Sequence, residues 1–257
     1  MIRFRESVKR LREAKKKQKD NPEMTATLDQ FQSILRESTI GRVVDFDPSA
    51  DRLYALDLTA ANGELTDDIL EDTAAFSDWV NQKLTASASR YGIGGYSEHR
   101  TIYTRSAHFD TADEPRRLHL GVDIWGPAGT AVYNFYDGEV HSFQNNDHFG
   151  DYGATIILKY NIDGLTFYAL YGHLSLASLG GLTVGQFIPC GKRFASFGVP
   201  QENGNWPPHL HFQLMFDMRG KSGDYPGVCQ YSKREVYLSN CPDPGLILEY
   251  TFGIPAD

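Results

Sequence analysis

The chain has 257 residues, of which 41% are hydrophobic, and this is enough to bury one sizeable core. Its formal net charge of -8 gives no general case for nucleic-acid binding, and no apolar run reaches the roughly eighteen residues of a membrane span. Three widely spaced cysteines, Cys190, Cys229 and Cys241, form neither a disulfide framework nor a C-x-x-C pair.

The first forty residues are rich in charge and in good helix formers. Residues 1–20 hold nine basic and three acidic residues, so this segment is basic although the chain as a whole is acidic. The basic start is typical of the first part of a signal peptide, but the apolar stretch that should follow is missing. The sequence as written therefore predicts a cytoplasmic protein, with a periplasmic or cell-envelope location as the alternative if a leader is missing from this chain.

Residues 52–59 alternate well enough to predict a strand, and residues 62–88 are helical in pattern, in two pieces. Thr66 and Thr73 are the candidate N-caps of these pieces. The glycine-rich stretch RYGIGGYSEHR then ends the pattern. We therefore predict a charged, helical N-terminal extension over residues 1–90.

From about residue 100, short apolar runs alternate with Gly, Asn, Asp and Pro at a spacing of about ten residues. This pattern favours an antiparallel sheet and predicts a mainly β chain (α+β overall), with a β domain over residues 91–257. Asp163 and Gly164 predict a two-residue hairpin turn, since both tolerate positive φ. Ser232 and Glu235 have capping-box spacing and predict a short helix near 232–240.

The stretch NWPPHLHFQL places two histidines on alternate positions of an apolar run. Pro207 and Pro208 disfavour helix, so an extended strand is expected. On a strand, His209 and His211 point to the same face about 6.6 Å apart, while Leu210 points into a core. The two imidazoles can therefore reach one point, as they do in metal sites.

Two further histidine motifs precede this strand. In HLGVD, a straight strand would place His119 and Asp123 about 13 Å apart, too far for one ion. We expect Gly121 to allow a bend or bulge that turns both side chains inward. In YGHLS, His173 follows Gly172 at the exit of an apolar strand, a position suited to catalysis.

A mixed set of histidine and carboxylate ligands, with no cysteine nearby, fits one catalytic Zn²⁺ ion better than Ca²⁺ or Mg²⁺. A cupin-like iron enzyme is a weaker interpretation. Such a site would need a glutamate soon after the HxH pair and a later histidine, and no histidine follows His211.

The order HxxxD, YGHLS, PHLHF resembles the lysostaphin/LytM-type zinc metallopeptidases that cut peptidoglycan peptides. The stretches GVDIWGPAGTAVYNFYDGEV and LTVGQFIPCGK are also similar to that family. The resemblance covers residues 92–216, about half of the chain. It implies an antiparallel β-sheet core with a substrate groove.

The resemblance also implies a role for each matching residue. His119, Asp123 and His211 would be the zinc ligands. His209 and His173 would be the catalytic histidines, with His209 mainly the base and His173 supporting orientation and the oxyanion. No other cofactor-binding residues are predicted.

The sequence departs from the family pattern at three places. Gln213 stands where the family usually has glutamate, and the loop before the HxH strand is longer and carries Trp206. The stretch TADEP is an acidic insert before HLGVD. These departures bear on substrate specificity more than on the metal site, and Trp206 with the following prolines is predicted to form one wall of the groove.

The predicted activity is hydrolysis of peptide bonds in peptidoglycan-type peptides, either cross-bridges or stem peptides, by a metal-activated water. The alternative is a zinc-bound but non-hydrolytic or autoinhibited scaffold that regulates a partner. The expected partner is a peptide or peptidoglycan substrate, and the sequence does not define an oligomeric state. Tyr103 is a further candidate oxyanion donor, although a structural role is favoured for it.

Overall fold

The computed structural model of the protein describes residues 22–253. Among these residues, the chain is dominated by one large sheet with five helices packed around it. The basic segment of residues 1–20 and the question of a signal peptide lie outside the described part. Within that part, no helix has both the length and the hydrophobicity of a bilayer span.

The large sheet has eight strands, and only one of its neighbouring pairs is parallel. The strands are β1 (Leu53–Ala55), β2 (Tyr91–Gly94), β4 (Val122–Trp125), β6 (Gly138–Asn146), β7 (Gly153–Ile162), β8 (Leu165–Leu174), β9 (Phe187–Ile188) and β11 (His209–Met215). They lie in the order β1, β2, β4, β11, β8, β7, β6, β9, and β1 pairs with β2 in parallel. All the other pairs are antiparallel, which confirms the predicted fold class.

Two short antiparallel pairs flank this sheet. One joins β5 (Ala131–Tyr133) to β10 (Arg193–Ser196), and the other joins β3 (Leu118–His119) to β12 (Val228–Cys229). The hairpin between β7 and β8 turns at Asp163 and Gly164, whose φ angles of 48° and 82° match the predicted turn.

The helices are α1 (Pro22–Glu37), α2 (Asp67–Glu71), α3 (Thr73–Ala86), α4 (Arg234–Leu238) and α5 (Gly245–Phe252). The predicted pair of helical pieces within residues 62–88 is present. Thr66 is the N-cap of α2, but Asp72 and not Thr73 caps α3, because its carboxylate accepts from the amides of Ala74 and Ala75.

A short helix also lies in the predicted C-terminal region, but its start differs from the prediction. Ser232 sits in a 3-10 turn at Tyr231–Lys233, and Lys233 is the N-cap of α4. The backbone amide of Ser232 donates to Glu114 instead of taking part in a capping box. The helix α5 was not predicted.

The N-terminal part of the chain contributes to two buried clusters. Phe31 of α1 packs edge-on against Phe167 of β8, with ring centroids 4.8 Å apart, in the main core beneath the sheet. Phe76 of α3 belongs to a second cluster that also contains Trp125 and Trp206. The division of the chain into domains at residue 90 stays a prediction, and residues on both sides of it share buried clusters.

Candidate metal and catalytic site

The strand β11 has the predicted alternation. Leu210 and Phe212 are fully buried in the main core on one face. His209 and His211 point to the other face, where both line a cavity. The two faces of one strand therefore separate packing from chemistry, as the sequence pattern indicated.

A bend at Gly121 brings the HLGVD motif together. The chain leaves the β3 pair after His119 and enters the large sheet at Val122, so Gly121 lies at the change of direction. A Cβ atom at Gly121 would lie only 2.6 Å from the His211 ring, and so the imidazole can approach because this residue is glycine. The bend places His119 Nε2 3.3 Å from Asp123 Oδ1, as predicted.

Three ligand atoms converge at this point. His211 Nδ1 lies 3.0 Å from His119 Nε2 and 3.0 Å from Asp123 Oδ1. A tetrahedral zinc ion with bonds of about 2.0–2.1 Å needs ligand atoms about 3.3 Å apart, close to the spacing found here. Within residues 22–253, these three side chains offer ligand atoms that could hold one metal ion.

The hydrogen-bond partners of the two imidazoles decide where their protons lie. His119 Nδ1 faces the carbonyl oxygen of Gly95 at 2.9 Å, so this nitrogen carries the proton and Nε2 is an acceptor. The amide nitrogen of Gln213 donates to the carbonyl of Pro226, which leaves its oxygen to accept from His211 Nε2 at 2.9 Å. His211 Nδ1 is then also an acceptor.

Three acceptor atoms therefore face one another in a buried place. Burial lowers the pKa of His119 to about 3, so a proton does not fill the gap at neutral pH. Burial disfavours the carboxylate of Asp123, yet the charge of the neighbouring Arg100 guanidinium holds its pKa well below the usual range. A divalent cation satisfies all three lone pairs at once, and the nitrogen and oxygen set suits zinc.

The other two predicted residues form a pair beside this trio. The rings of His173 and His209 have centroids 4.1 Å apart, and both residues line the cavity. His173 Nδ1 donates to the carbonyl of Asn203 at 2.8 Å, and His209 Nδ1 donates to the carbonyl of Pro207 at 2.7 Å. Each histidine therefore keeps an Nε2 lone pair for chemistry.

Both histidines of the pair are neutral at physiological pH. Burial lowers the pKa of His209 to about 4, and burial with the neighbouring His209 holds the pKa of His173 well below its usual range. His173 also has a φ of 60°, a left-handed conformation that is uncommon for a residue with a side chain. Such backbone strain is often found at functional sites.

Aromatic residues enclose the cavity. The indole of Trp125 stacks on His209 with centroids 4.0 Å apart and an angle of 15° between the planes. Trp206 lines the cavity, whereas Pro207 and Pro208, which were predicted to form a wall with it, are not among the lining residues. Tyr103 and Phe109 line the cavity from the two 3-10 turns at residues 102–109. Tyr103 accepts a hydrogen bond from Arg100, so its hydroxyl is held in place beside the trio.

The sequence did not reveal some of the supporting residues. Arg100 is fully buried and donates to Asp123, and Trp125 holds His209 by stacking. The sequence around each residue gives no sign of this role, because each acquires it through contacts with distant parts of the chain. Gln213 was visible as a departure from the family pattern, but its role in fixing the His211 tautomer required the structure.

A family model matches the part of the chain that carries the candidate site. Residues 117–223 match the model of peptidase family M23. The resemblance to the lysostaphin/LytM-type peptidases is confirmed over this segment. The matched segment contains all five predicted site residues, whereas the first hundred residues lie outside it.

Solved structures of similar proteins include a zinc-containing peptidase from Vibrio cholerae, which is 26% identical over 38% of this chain and 27% of that chain, with a TM-score of 0.31. The chain thus spans about a quarter of the length of the Vibrio protein. The catalytic domain of lysostaphin from Staphylococcus simulans is 22% identical over 62% of this chain and 97% of that domain, with a TM-score of 0.38.

A variant of the catalytic domain of the prophage-encoded M23 protein EnpA from Enterococcus faecalis is 20% identical over 46% of this chain and 85% of that chain, with a TM-score of 0.33. No curated protein matched the chain.

Proposed function

We propose that this protein is a zinc metalloendopeptidase that hydrolyses peptide bonds in peptidoglycan-type peptides. The observation that carries the proposal is the convergence of three acceptor atoms, from His119, Asp123 and His211, at 3.0–3.3 Å from one another. The M23 match of the same segment supports the peptidase activity.

In this proposal His119 Nε2, Asp123 Oδ1 and His211 Nδ1 hold one zinc ion. Bound zinc supplies Lewis-acid chemistry, because it lowers the pKa of a water molecule and polarises the scissile carbonyl. The three residues leave a coordination position open, as catalytic zinc sites do. The cavity next to the trio is the place where substrate and water meet these residues.

His209 has the properties of the general base. Its Nδ1–H is engaged by the Pro207 carbonyl, and its Nε2 lone pair can take a proton from the attacking water and pass it to the leaving amine. His173 packs against His209 and orients it. Its support of the oxyanion stays a prediction, because this needs a proton on Nε2. The stacked indole of Trp125 keeps the His209 ring from turning.

The alternative, a non-hydrolytic or autoinhibited scaffold, has no specific observation in its favour. Asp123, His173, His209 and His211 line one cavity, and His119 contacts Asp123 and His211 beside it. The cell-envelope location that a peptidoglycan substrate requires likewise stays a prediction.

The test is a digestion of purified muropeptides and of oligoglycine, analysed by mass spectrometry, before and after chelation. We expect cleavage that disappears with the chelator and returns when zinc is added. Zinc-loaded protein that cleaves neither substrate would contradict the substrate class, and cleavage that survives complete metal removal would contradict the mechanism.

A further inference from the structure

Arg100 is a fully buried arginine at the back of the candidate metal site. Its Nη1 atom lies 2.5 Å from Asp123 Oδ2, the carboxylate oxygen that faces away from the trio. Its Nε atom lies 2.8 Å from Glu98 Oε2, and Nη1 also reaches the hydroxyl of Tyr103 at 3.2 Å. The planar guanidinium therefore divides its donors between two carboxylates and a phenol.

Arg100 also acts on a second member of the trio through the backbone. Its Nη2 atom donates to the carbonyl oxygen of Gly95 at 3.3 Å, and the same oxygen accepts from His119 Nδ1 at 2.9 Å. One side chain is thus connected to both Asp123 and His119. A Cβ atom at Gly94 would lie 2.6 Å from Arg100 Nη2, so the approach depends on glycine there.

The charges around Arg100 do not suggest a simple stabilising ion pair. Removing a charged group from water is costly, and a buried pair recovers this cost only with good geometry. Glu98 is half-buried, its pKa is raised by desolvation, and its carboxylate balances the arginine against Asp123. The fully buried Arg100 guanidinium behind Asp123 thus holds that carboxylate in one orientation.

We propose that Arg100 is a positioning residue that donates to Asp123 Oδ2 and to the Gly95 carbonyl. Asp123 then offers only Oδ1 to the metal, and His119 is held in the orientation in which Nε2 faces the metal. This inference rests on the proposed metal site. It gives a role to a residue of the segment GYSEHR, which precedes the residues matched by the family model. Without Arg100, Asp123 is free to rotate and offer both oxygens.

Two variants test the proposal. The double variant Glu98→Gln/Arg100→Met removes both added charges together and avoids leaving Glu98 without its partner. Arg100→Lys keeps the positive charge but loses the planar fork that spans Asp123 and Gly95. Arg90→Met is the matched control. Arg90 also pairs with two carboxylates, those of Asp45 and Asp51, but these pairs are exposed and contain no member of the trio.

The readouts are zinc affinity, measured by competition with a chromogenic chelator, and the visible spectrum of the Co²⁺-substituted protein. Substitution of groups that orient metal ligands typically weakens metal affinity about 10- to 100-fold. We expect losses in this range for the double variant and smaller ones for Arg100→Lys. We also expect weaker Co²⁺ absorption, because a two-oxygen Asp123 raises the coordination number from four to five. Arg90→Met should match the wild type in both measurements.

The outcomes separate this inference from the proposed function. Wild-type protein that binds zinc, together with folded Arg100 variants of unchanged affinity and spectrum, would overturn the positioning role alone. Wild-type protein that binds no zinc would overturn both. If the double variant fails to fold, Arg100→Lys decides the question, since it retains the buried charge balance.

Discussion

The trio and the histidine pair lie side by side, but their side chains are held in different ways. The trio, His119, Asp123 and His211, presents three acceptor atoms to a single point. The pair, His173 and His209, is fixed by two backbone carbonyls and presents its lone pairs separately. The difference supports the proposed division of five similar-looking polar residues into a metal-binding group and a proton-transfer group, and that division can be broken by experiment.

The largest effect is expected from loss of a trio member. His211→Ala removes one of three converging ligands and leaves His119 and Asp123 unable to complete a zinc site. Purified protein should fall from about one zinc per chain to almost none, and peptide cleavage should disappear. Elemental analysis and a cleavage assay measure both. Stoichiometric zinc in a folded His211→Ala protein would assign the metal elsewhere.

A change in the histidine pair should separate metal binding from activity. His209→Ala removes the proposed base but leaves the three ligands in place, so zinc content should be that of the wild type. The turnover number should fall about 10²- to 10⁴-fold, the usual contribution of general acid–base catalysis. His173→Ala is the companion variant and should behave in the same way. If either change released zinc, that histidine would belong to the metal-binding group.

Much of this arrangement was predictable because it depends on local signals. The alternation in β11, the bend at Gly121 and the turn at Asp163 and Gly164 follow from strand geometry and glycine chemistry. The parallel pairing of β1 with β2 was not predictable in this way, since pairing is decided between distant segments. The roles of Arg100 and Trp125 were hidden for the same reason.

The protonation of the buried histidines predicts a pH dependence for the zinc-free protein. An unfolded histidine binds its proton near pH 6.5, whereas the folded protein keeps His209 neutral down to about pH 4 and His119 down to about pH 3. The unfolded state thus binds more protons between these values, so the free energy of unfolding falls as pH falls below about 6.5.

The expected loss is about 2 kcal/mol for each such histidine between about pH 6.5 and about pH 5. Chemical denaturation of the chelated protein at several pH values measures this loss. His209→Asn should make the free energy of unfolding depend less steeply on pH, because the contribution of His209 is removed. A slope that His209→Asn leaves unchanged would show that His209 does not carry its depressed pKa into the folded state.

The smallest effect on the zinc-bound protein is expected at Gln213, which supports the trio through His211. Gln213→Glu places a second acceptor opposite the Pro226 carbonyl, where the amide now donates at 3.1 Å. In the zinc-free protein this should cost about 1–3 kcal/mol, the penalty of a buried polar group without a partner. With zinc bound, the cost should shrink, because a carboxylate behind His211 strengthens that imidazole as a ligand.

Denaturation with and without zinc measures the difference in this cost. Gln213→Leu is the control, because it loses the contacts to both His211 and Pro226 and should not show a smaller cost with zinc. Equal costs for Gln213→Glu in the two states would mean that Gln213 supports the fold and has no effect on the trio.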